Sequence, residues 1–174
     1  PDPKFDSILD GEKYAGKVLN DTSSLMTALR DENVQERLLQ VMDPDAIEYM
    51  FNIVSYVHMK TVAGARLIHG RPMSSNEVIS RAYNIAREMV SPLYVGTEIG
   101  IRLAQEANAN ILIMAMQNKE AGRIMDMILN NPKALTVEDL NNFDSMVLTF
   151  LSTQTNEQFM TKLIDTEESM NEQE

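Results

Sequence analysis

Apolar residues recur along much of this chain at the spacing of a helix face, with polar residues between them. The clearest case begins at Asp43-Pro44, where Asp is a good N-cap and Pro fits the first helical position. The apolar residues that follow at helical spacing are Ile47, Met50, Phe51, Val54, Val57 and Met59. This pattern predicts a long helix from about 44 to 69, ended by Gly70 and Pro72.

A second strong helical pattern starts at Ser74-Ser75-Asn76-Glu77, which is a capping box of the form S-x-x-E. The apolar positions behind it are Val78, Ile79, Ala82, Ile85, Ala86 and Met89. Ser91-Pro92 then repeats the arrangement of a cap followed by proline, and proline disfavours helical conformation in the residue before it. We therefore expect one helix to end near Val90 and another to begin at Pro92.

Weaker patterns lie on both sides of these two helices. Short helical turns are expected within residues 1–20, and two short helices after the cap-rich cluster Asp21–Ser24. Beyond Asn108, one or two helices extend to about residue 129 and are stopped by Asn131-Pro132. Thr136–Asp139 caps a further helix. A short last helix is expected around Phe159–Ile164.

Composition supports a helical protein throughout. The 174 residues include only 7 Gly and 6 Pro, too few for the many turns of a sandwich or barrel. We predict an all-α fold, an irregular bundle of about six to eight helices with no sheet. A single helical domain is expected over residues 1–164, followed by a frayed acidic tail over 165–174. Because the first residue is Pro1 rather than Met, we expect this domain to be a fragment of a longer chain.

Small residues form a strip on the helix predicted after Pro92. Gly96, Gly100 and Ala104 are spaced by four and therefore line one face of that helix. Glycine costs about 1 kcal/mol relative to alanine in a helix interior, and close approach of another backbone would offset this cost. The favoured interpretation is a helix crossing within the domain, and the functional alternative is an oligomer contact.

Charge is distributed unevenly along the chain, whose net charge is -11. Between residues 60 and 90 lies a basic island, which consists of Lys60, Arg66, Arg71, Arg81 and Arg87. Its positive charge either attracts an acidic protein partner or pairs internally with the acidic flanks. The excess is too small for a nucleic-acid stripe, so no sequence-specific nucleic-acid binding is expected.

Residue chemistry excludes several activities. Cysteine is absent, which removes disulfides, thiolate metal sites and cysteine nucleophiles. His58 and His69 lack the neighbouring ligands of a metal motif and are interpreted as ordinary structural histidines. The longest purely apolar run, Ile111–Met116, is too short to span a bilayer. We expect no catalytic residue, no metal, no cofactor and no transmembrane segment.

The segment "PMSSNEVISRAYNIAREMVSPLYVGTEIGIRL", residues 72–103, resembles a segment in the C-terminal region of large internal virion (ejection) proteins of short-tailed marine bacteriophages. A capped helix, a Ser-Pro corner and a small-residue helix follow one another there in the same order. The resemblance continues through "NKEAGRIMDMIL", residues 118–129. In that family the protein lies in the capsid core above the portal and is ejected with the DNA to help build a conduit. Nothing here matches the murein-cleaving domain of some members, so no catalytic residue is carried over.

Two functions of different classes follow from these observations. The first is a non-enzymatic structural module of a phage virion, located in the virion and binding other copies of itself or other virion proteins. The second is a cytoplasmic helical adaptor or regulatory domain that binds a protein partner through the basic island. A ring or higher cyclic oligomer favours the first function, and a strict monomer favours the second.

Overall fold

A computed structural model of the protein describes residues 8–63, 67–68, 71–90 and 108–153. Within these ranges lie eight helices of nine residues or more. They are α1 (Gly11–Asn20), α2 (Thr22–Arg30), α3 (Glu32–Val41), α4 (Pro44–His58), α5 (Ser75–Val90), α6 (Asn108–Gln117), α7 (Lys119–Asn130) and α8 (137–153). The prediction of an all-α fold with six to eight helices is confirmed.

A minimal antiparallel ladder interrupts the helices between α4 and α5. Strand β1 (Leu67–Ile68) pairs with β2 (Arg71–Pro72), with Leu67 opposite Pro72 and Ile68 opposite Arg71. Each strand has only two residues, which is too short to form a layer of its own. Among the described residues, the expectation of no sheet therefore holds except for this two-residue ladder.

Side-chain caps set most helix boundaries, as the sequence predicts. The carboxylate of Asp43 accepts a hydrogen bond from the Asp45 amide at 2.8 Å, and Pro44 is the first residue of α4. Ser74 accepts from the Glu77 amide at 3.2 Å ahead of α5. Helix α7 ends at Asn130, as Asn131-Pro132 predicts, and Pro132 opens a short 3-10 turn.

The predicted extension of α4 to residue 69 is wrong. The α-helical part ends at His58, and a π-helical turn, Met59–Ala63, follows it. The amide of Met59 is shared between two carbonyl groups of the preceding turn, and the hydroxyl of Thr61 donates to the Val57 carbonyl at 2.8 Å. The predicted end was placed at Gly70, but Gly64 comes earlier in the sequence and is also a weak helix former, and β1 already begins at Leu67.

One apolar core joins the helices. Helix α4 packs against α7 and α2, while α6 packs against α1 and α7. The largest fully buried side chains are Tyr14, Phe143, Ile8, Leu25, Leu38, Met50, Ile53, Ile111, Leu112, Ile124, Met125 and Ile128. Each buried aliphatic or aromatic side chain contributes about 1.5–3 kcal/mol relative to exposure, so this shared core is the main source of stability.

The α6–α7 crossing is very close at Gly122. A Cβ atom added to this glycine would lie 2.8 Å from the carbonyl oxygen of Ala115. Since a backbone oxygen cannot swing away as a long side chain can, the crossing requires glycine at this position. The close crossing of α6 and α7 forms one side of the groove described in the next section.

Candidate interaction surface

An apolar groove of about 440 Å³ lies between the α6–α7 corner and α8. Its apolar residues are Met114, Met146 and Phe150. The remaining lining residues are polar but uncharged: Gln117, Asn118, Ser145, Thr149 and Thr153. Water is displaced easily from such a surface because no charged group has to be desolvated, and methionine side chains adapt to varied apolar partners.

The start of α8 is fixed by the capping box that the sequence predicts. The amide of Thr136 donates to the Asp139 carboxylate at 3.1 Å, and the Asp139 amide donates back to the Thr136 hydroxyl at 3.1 Å. From this start, Leu140, Phe143 and Val147 point into the core. Helical periodicity places a second set of α8 residues on the adjacent face, where they line the groove. These residues are Ser145, Met146, Thr149, Phe150 and Thr153.

A forked ion pair joins α7 to the beginning of α8. The guanidinium of Arg123 donates to both carboxylate oxygens of Glu120, at 2.6 and 3.0 Å, and to Asp139 at 3.0 Å. Partial burial alone would raise the pKa of Asp139, but hydrogen bonds from Arg123 and Thr136 outweigh it and lower the pKa. The ionised carboxylate is thus the form that holds the two helices together.

A buried polar cluster holds α8 against α5. Arg87 donates to the carboxylate of Asp144 at 2.6 Å and also to the hydroxyl of Tyr83, which donates to the other oxygen of Asp144 at 2.5 Å. The side chains of Arg87 and Asp144 are only 7% and 10% exposed. Burial first, and then the charge of Asp144, raise the pKa of the Tyr83 phenol above its ordinary range. We call these three residues the buried cluster.

The outer face of α5 carries two neighbouring apolar side chains. Ile85 is 53% exposed and Met89 is 45% exposed, and their spacing of four residues places them side by side on the helix. We call this pair the α5 ridge. No residue of α5 lines the groove, so the ridge and the groove are two separate apolar surfaces of one chain.

The members of the basic island have different surroundings. Arg87 pairs internally with Asp144, which belongs to the acidic C-terminal flank. For this residue, internal pairing is therefore the correct interpretation, rather than attraction of an acidic partner. The ammonium of Lys60 lies 5.6 Å from the centre of the Tyr56 ring, and Arg81 donates to the sulfur of Met73. Arg66 and the side chain of Arg71 lie outside the described residues. Arg87 is therefore not part of an exposed basic surface.

Several predicted residues lie where the structure gives no description. Gly96, Gly100 and Ala104, the Ser91-Pro92 corner and the expected helix around Phe159–Ile164 are outside the described residues, as is His69. His58 is described, and its Nδ1 is hydrogen-bonded to the Thr22 hydroxyl at 3.0 Å. This contact joins the start of α2 to the end of α4.

Two features of the candidate surface, the groove and the ridge, were missed by sequence reasoning. The groove and the ridge arise from the packing of α6, α7 and α8, and from which face of α5 meets the core, so no local motif marks either. Gly122 did leave a signal, because it interrupts the good helix pattern of α7.

In the ranges that the structure describes, no three His, Asp or Glu side chains are grouped so as to hold a metal ion.

None of the described helices is long and apolar enough to cross a membrane. Comparison of the chain with protein-family models, with curated proteins and with solved structures finds no match in any of the three. The groove, the ridge and the buried cluster are therefore the features of this chain that bear on its function.

Proposed function

We propose that this protein is a non-enzymatic interaction module that assembles with copies of itself as part of a phage virion. The observation that carries the proposal is the pairing of two exposed apolar surfaces on one chain, the groove and the α5 ridge. In the assembly, Ile85 and Met89 of one copy lie in the groove of the next copy.

The chemistry of the two surfaces is complementary. The groove presents apolar side chains with an uncharged polar rim, and the ridge presents two apolar side chains one helical turn apart. Recognition of apolar residues at i and i+4 by a groove is a common mode of helix binding. Because the two surfaces are different, the contact is heterologous and generates a ring or a filament rather than a closed dimer.

The resemblance to phage internal virion proteins supports the same assignment. It spans residues 72–103 and thus includes all of α5 (Ser75–Val90), the helix that carries the ridge. A module that builds part of a conduit needs repeated contacts between identical or similar chains, and a heterologous contact provides them. Location in the virion follows from this proposal.

Sedimentation velocity over a range of protein concentrations tests self-association. Thr149→Lys places a charge in the groove rim without removing any core side chain, since Thr149 is exposed. We expect this variant to remain a monomer at concentrations where the wild type assembles. Ser152→Lys is the matched control, because it adds the same charge to an exposed position of α8 that does not line the groove.

The adaptor function remains the second candidate. It relies on the basic island, and the internal pairing of Arg87 removes one of its five charges from the surface. A wild-type protein that stays monomeric at every concentration tested would favour the adaptor and reject the proposed assembly.

A further inference from the structure

Methionines make up a large part of the proposed contact between copies. Met89 forms one half of the α5 ridge, and Met114 and Met146 line the groove. The chain contains 13 methionines and no cysteine, so reversible oxidation of sulfur in this protein can take place only at a thioether. The composition of the contact therefore makes it open to chemical change by an oxidant.

Met89 is one of the two most exposed methionines among the described residues. It is 45% exposed, and Met59, on the π-helical turn, is 50% exposed. By contrast, Met50 and Met125 in the core are 2% exposed and Met114 is 4% exposed. The other described methionines are half-buried or buried. Because an oxidant has to reach the sulfur atom, Met59 and Met89 should react before the rest.

The sulfur of Met89 is also not engaged in a hydrogen bond from the described residues. Met73 accepts one at its sulfur from Arg81 at 3.4 Å, and Met127 accepts one from Arg123 at 3.2 Å. A thioether is a weak acceptor, and a donor at its lone pair makes the sulfur a poorer nucleophile. Met89 thus combines exposure with an unhindered lone pair.

We propose that Met89 is an oxidative modification site whose oxidation weakens self-association, an inference that rests on the proposed function. The oxidant is a hydroperoxide such as hydrogen peroxide. Its O–O bond breaks, an S=O bond forms at the Met89 sulfur, the sulfur is oxidised by two electrons and water leaves. The product, methionine sulfoxide, places a polar oxygen on a side chain that was apolar.

The groove offers few hydrogen-bond donors to a sulfoxide oxygen. The hydroxyls of Thr149 and Thr153 donate to main-chain carbonyls of their own helix, both at 2.9 Å, and none of the lining residues is charged. The remaining donors are the amides of Gln117 and Asn118 and the hydroxyl of Ser145. An oxidised ridge therefore exchanges water for incomplete hydrogen bonding, and such a loss weakens association by roughly tenfold or more.

Assembly and oxidation should oppose each other. In the proposed assembly, Met89 lies in the groove of the next copy and is shielded from the oxidant. Met59 belongs to neither the ridge nor the groove, so it serves as an internal reference within the same chain. The oxidation rate of Met89 should fall as the assembled fraction rises, while that of Met59 should not depend on protein concentration.

Treatment with hydrogen peroxide, followed by peptide mass spectrometry, tests the modification site. At a concentration where the chain is monomeric, we expect sulfoxide to form at Met59 and Met89 at similar rates, and much later at Met50 and Met125. A Met89 that reacts as slowly as these two buried methionines would overturn the assignment of the site. This measurement requires no assembly, so its result is independent of the proposed function.

Sedimentation velocity of oxidised variants tests the effect on assembly. Met89→Leu and its matched control Met59→Leu each introduce an apolar side chain of similar volume. The peroxide is removed once Met59 and Met89 have reacted in the wild type. We then expect the wild type and Met59→Leu to assemble at least roughly tenfold more weakly, and Met89→Leu to assemble as before. Methionine sulfoxide reductase with a dithiol should restore the oxidised wild type.

The outcomes separate this inference from the proposed function. Equal weakening of Met89→Leu and Met59→Leu, or an oxidised wild type that assembles as tightly as the untreated protein, would overturn control by Met89. A wild type that is monomeric even before treatment would reject the proposed assembly and with it the control of assembly. In that case the mass spectrometry still decides whether Met89 is the reactive site.

Discussion

The α6–α7 crossing and the α5–α8 contact hold the same bundle together by different means. At the first, Gly122 allows two backbones to approach so closely that an added Cβ would lie 2.8 Å from the Ala115 carbonyl oxygen. At the second, Tyr83, Arg87 and Asp144 form hydrogen bonds and an ion pair away from water. The first contact cannot accept an additional atom, and the second cannot lose a partner.

Both contacts help to build the groove. Its two sides are the α6–α7 corner and α8, and each is positioned by one of these contacts. Close packing is sensitive to any change of side-chain volume. A buried ion pair is sensitive to the loss of either partner, because the remaining charge is then buried without compensation. Substitutions at each contact should therefore fail for different reasons.

The largest effect is expected at the buried cluster. Asp144→Ala leaves the charge of Arg87 buried without this carboxylate, and such losses typically cost about 3–5 kcal/mol. Replacing both partners, as Arg87→Met with Asp144→Leu, should recover much of that loss. Chemical denaturation of the three proteins measures the free energies of unfolding. A single Asp144→Ala variant within about 1 kcal/mol of the wild type would show that the pair contributes little.

A smaller loss is expected at the α6–α7 crossing. Gly122→Ala introduces a methyl group against the backbone of Ala115, and overpacking of this kind typically costs about 1–3 kcal/mol. The thermal unfolding midpoint should fall. If it rises, the crossing has enough room for a methyl group and the close approach is not required.

Gly16→Ala is the matched control for that substitution and should act in the opposite direction. Gly16 also lies inside a helix, α1, but an added Cβ there has no atom within 4 Å. Alanine should therefore stabilise the protein by up to about 1 kcal/mol through helix propensity alone. The two glycines, measured by the same thermal unfolding experiment, separate the effect of propensity from the effect of packing.

The weakest effect at neutral pH concerns the two buried phenols. Burial raises the pKa of Tyr14 and of Tyr83 above the ordinary value of 10.0. When folding raises the pKa of a group, that group stabilises the fold at every pH below its pKa in the unfolded chain. This stabilisation is lost as the pH rises through the pKa of the group in the folded protein. Stability should thus be unaffected at pH 7 and fall above pH 10. Absorbance titration should show these two tyrosines ionising only on unfolding, and normal titration of all five would contradict their burial.

Local features of the fold were predictable and long-range ones were not. The caps at Asp43, Ser74 and Thr136 depend on residues within one helical turn, and all three lie where the pattern places them. The end of α4 was missed because the apolar spacing continues past His58 and does not reveal where the regular helix changes to a π-helical turn. Arg87 and Asp144 are 57 residues apart, so only the packed structure shows that they pair.

For the candidate surface, too, the local helical positions were predictable and the long-range packing was not. The exposed positions Ile85 and Met89 belong to the predicted helix, but whether they face the core depends on how α5 packs. The groove requires α6, α7 and α8 together and has no counterpart in the sequence pattern. Gly16 and Gly122 show what the sequence cannot distinguish. Both are glycines within a helix, but Gly16 borders open space and Gly122 lies at a close helix crossing.

Mixing two assembly-deficient variants tests the central claim most directly. Thr149→Lys damages the groove and keeps the ridge, while Met89→Lys damages the ridge and keeps the groove. We predict that each variant alone is a monomer in sedimentation velocity, and that an equimolar mixture forms a one-to-one dimer and nothing larger. A mixture that stays monomeric, or variants that assemble alone as the wild type does, would contradict the proposed contact between ridge and groove.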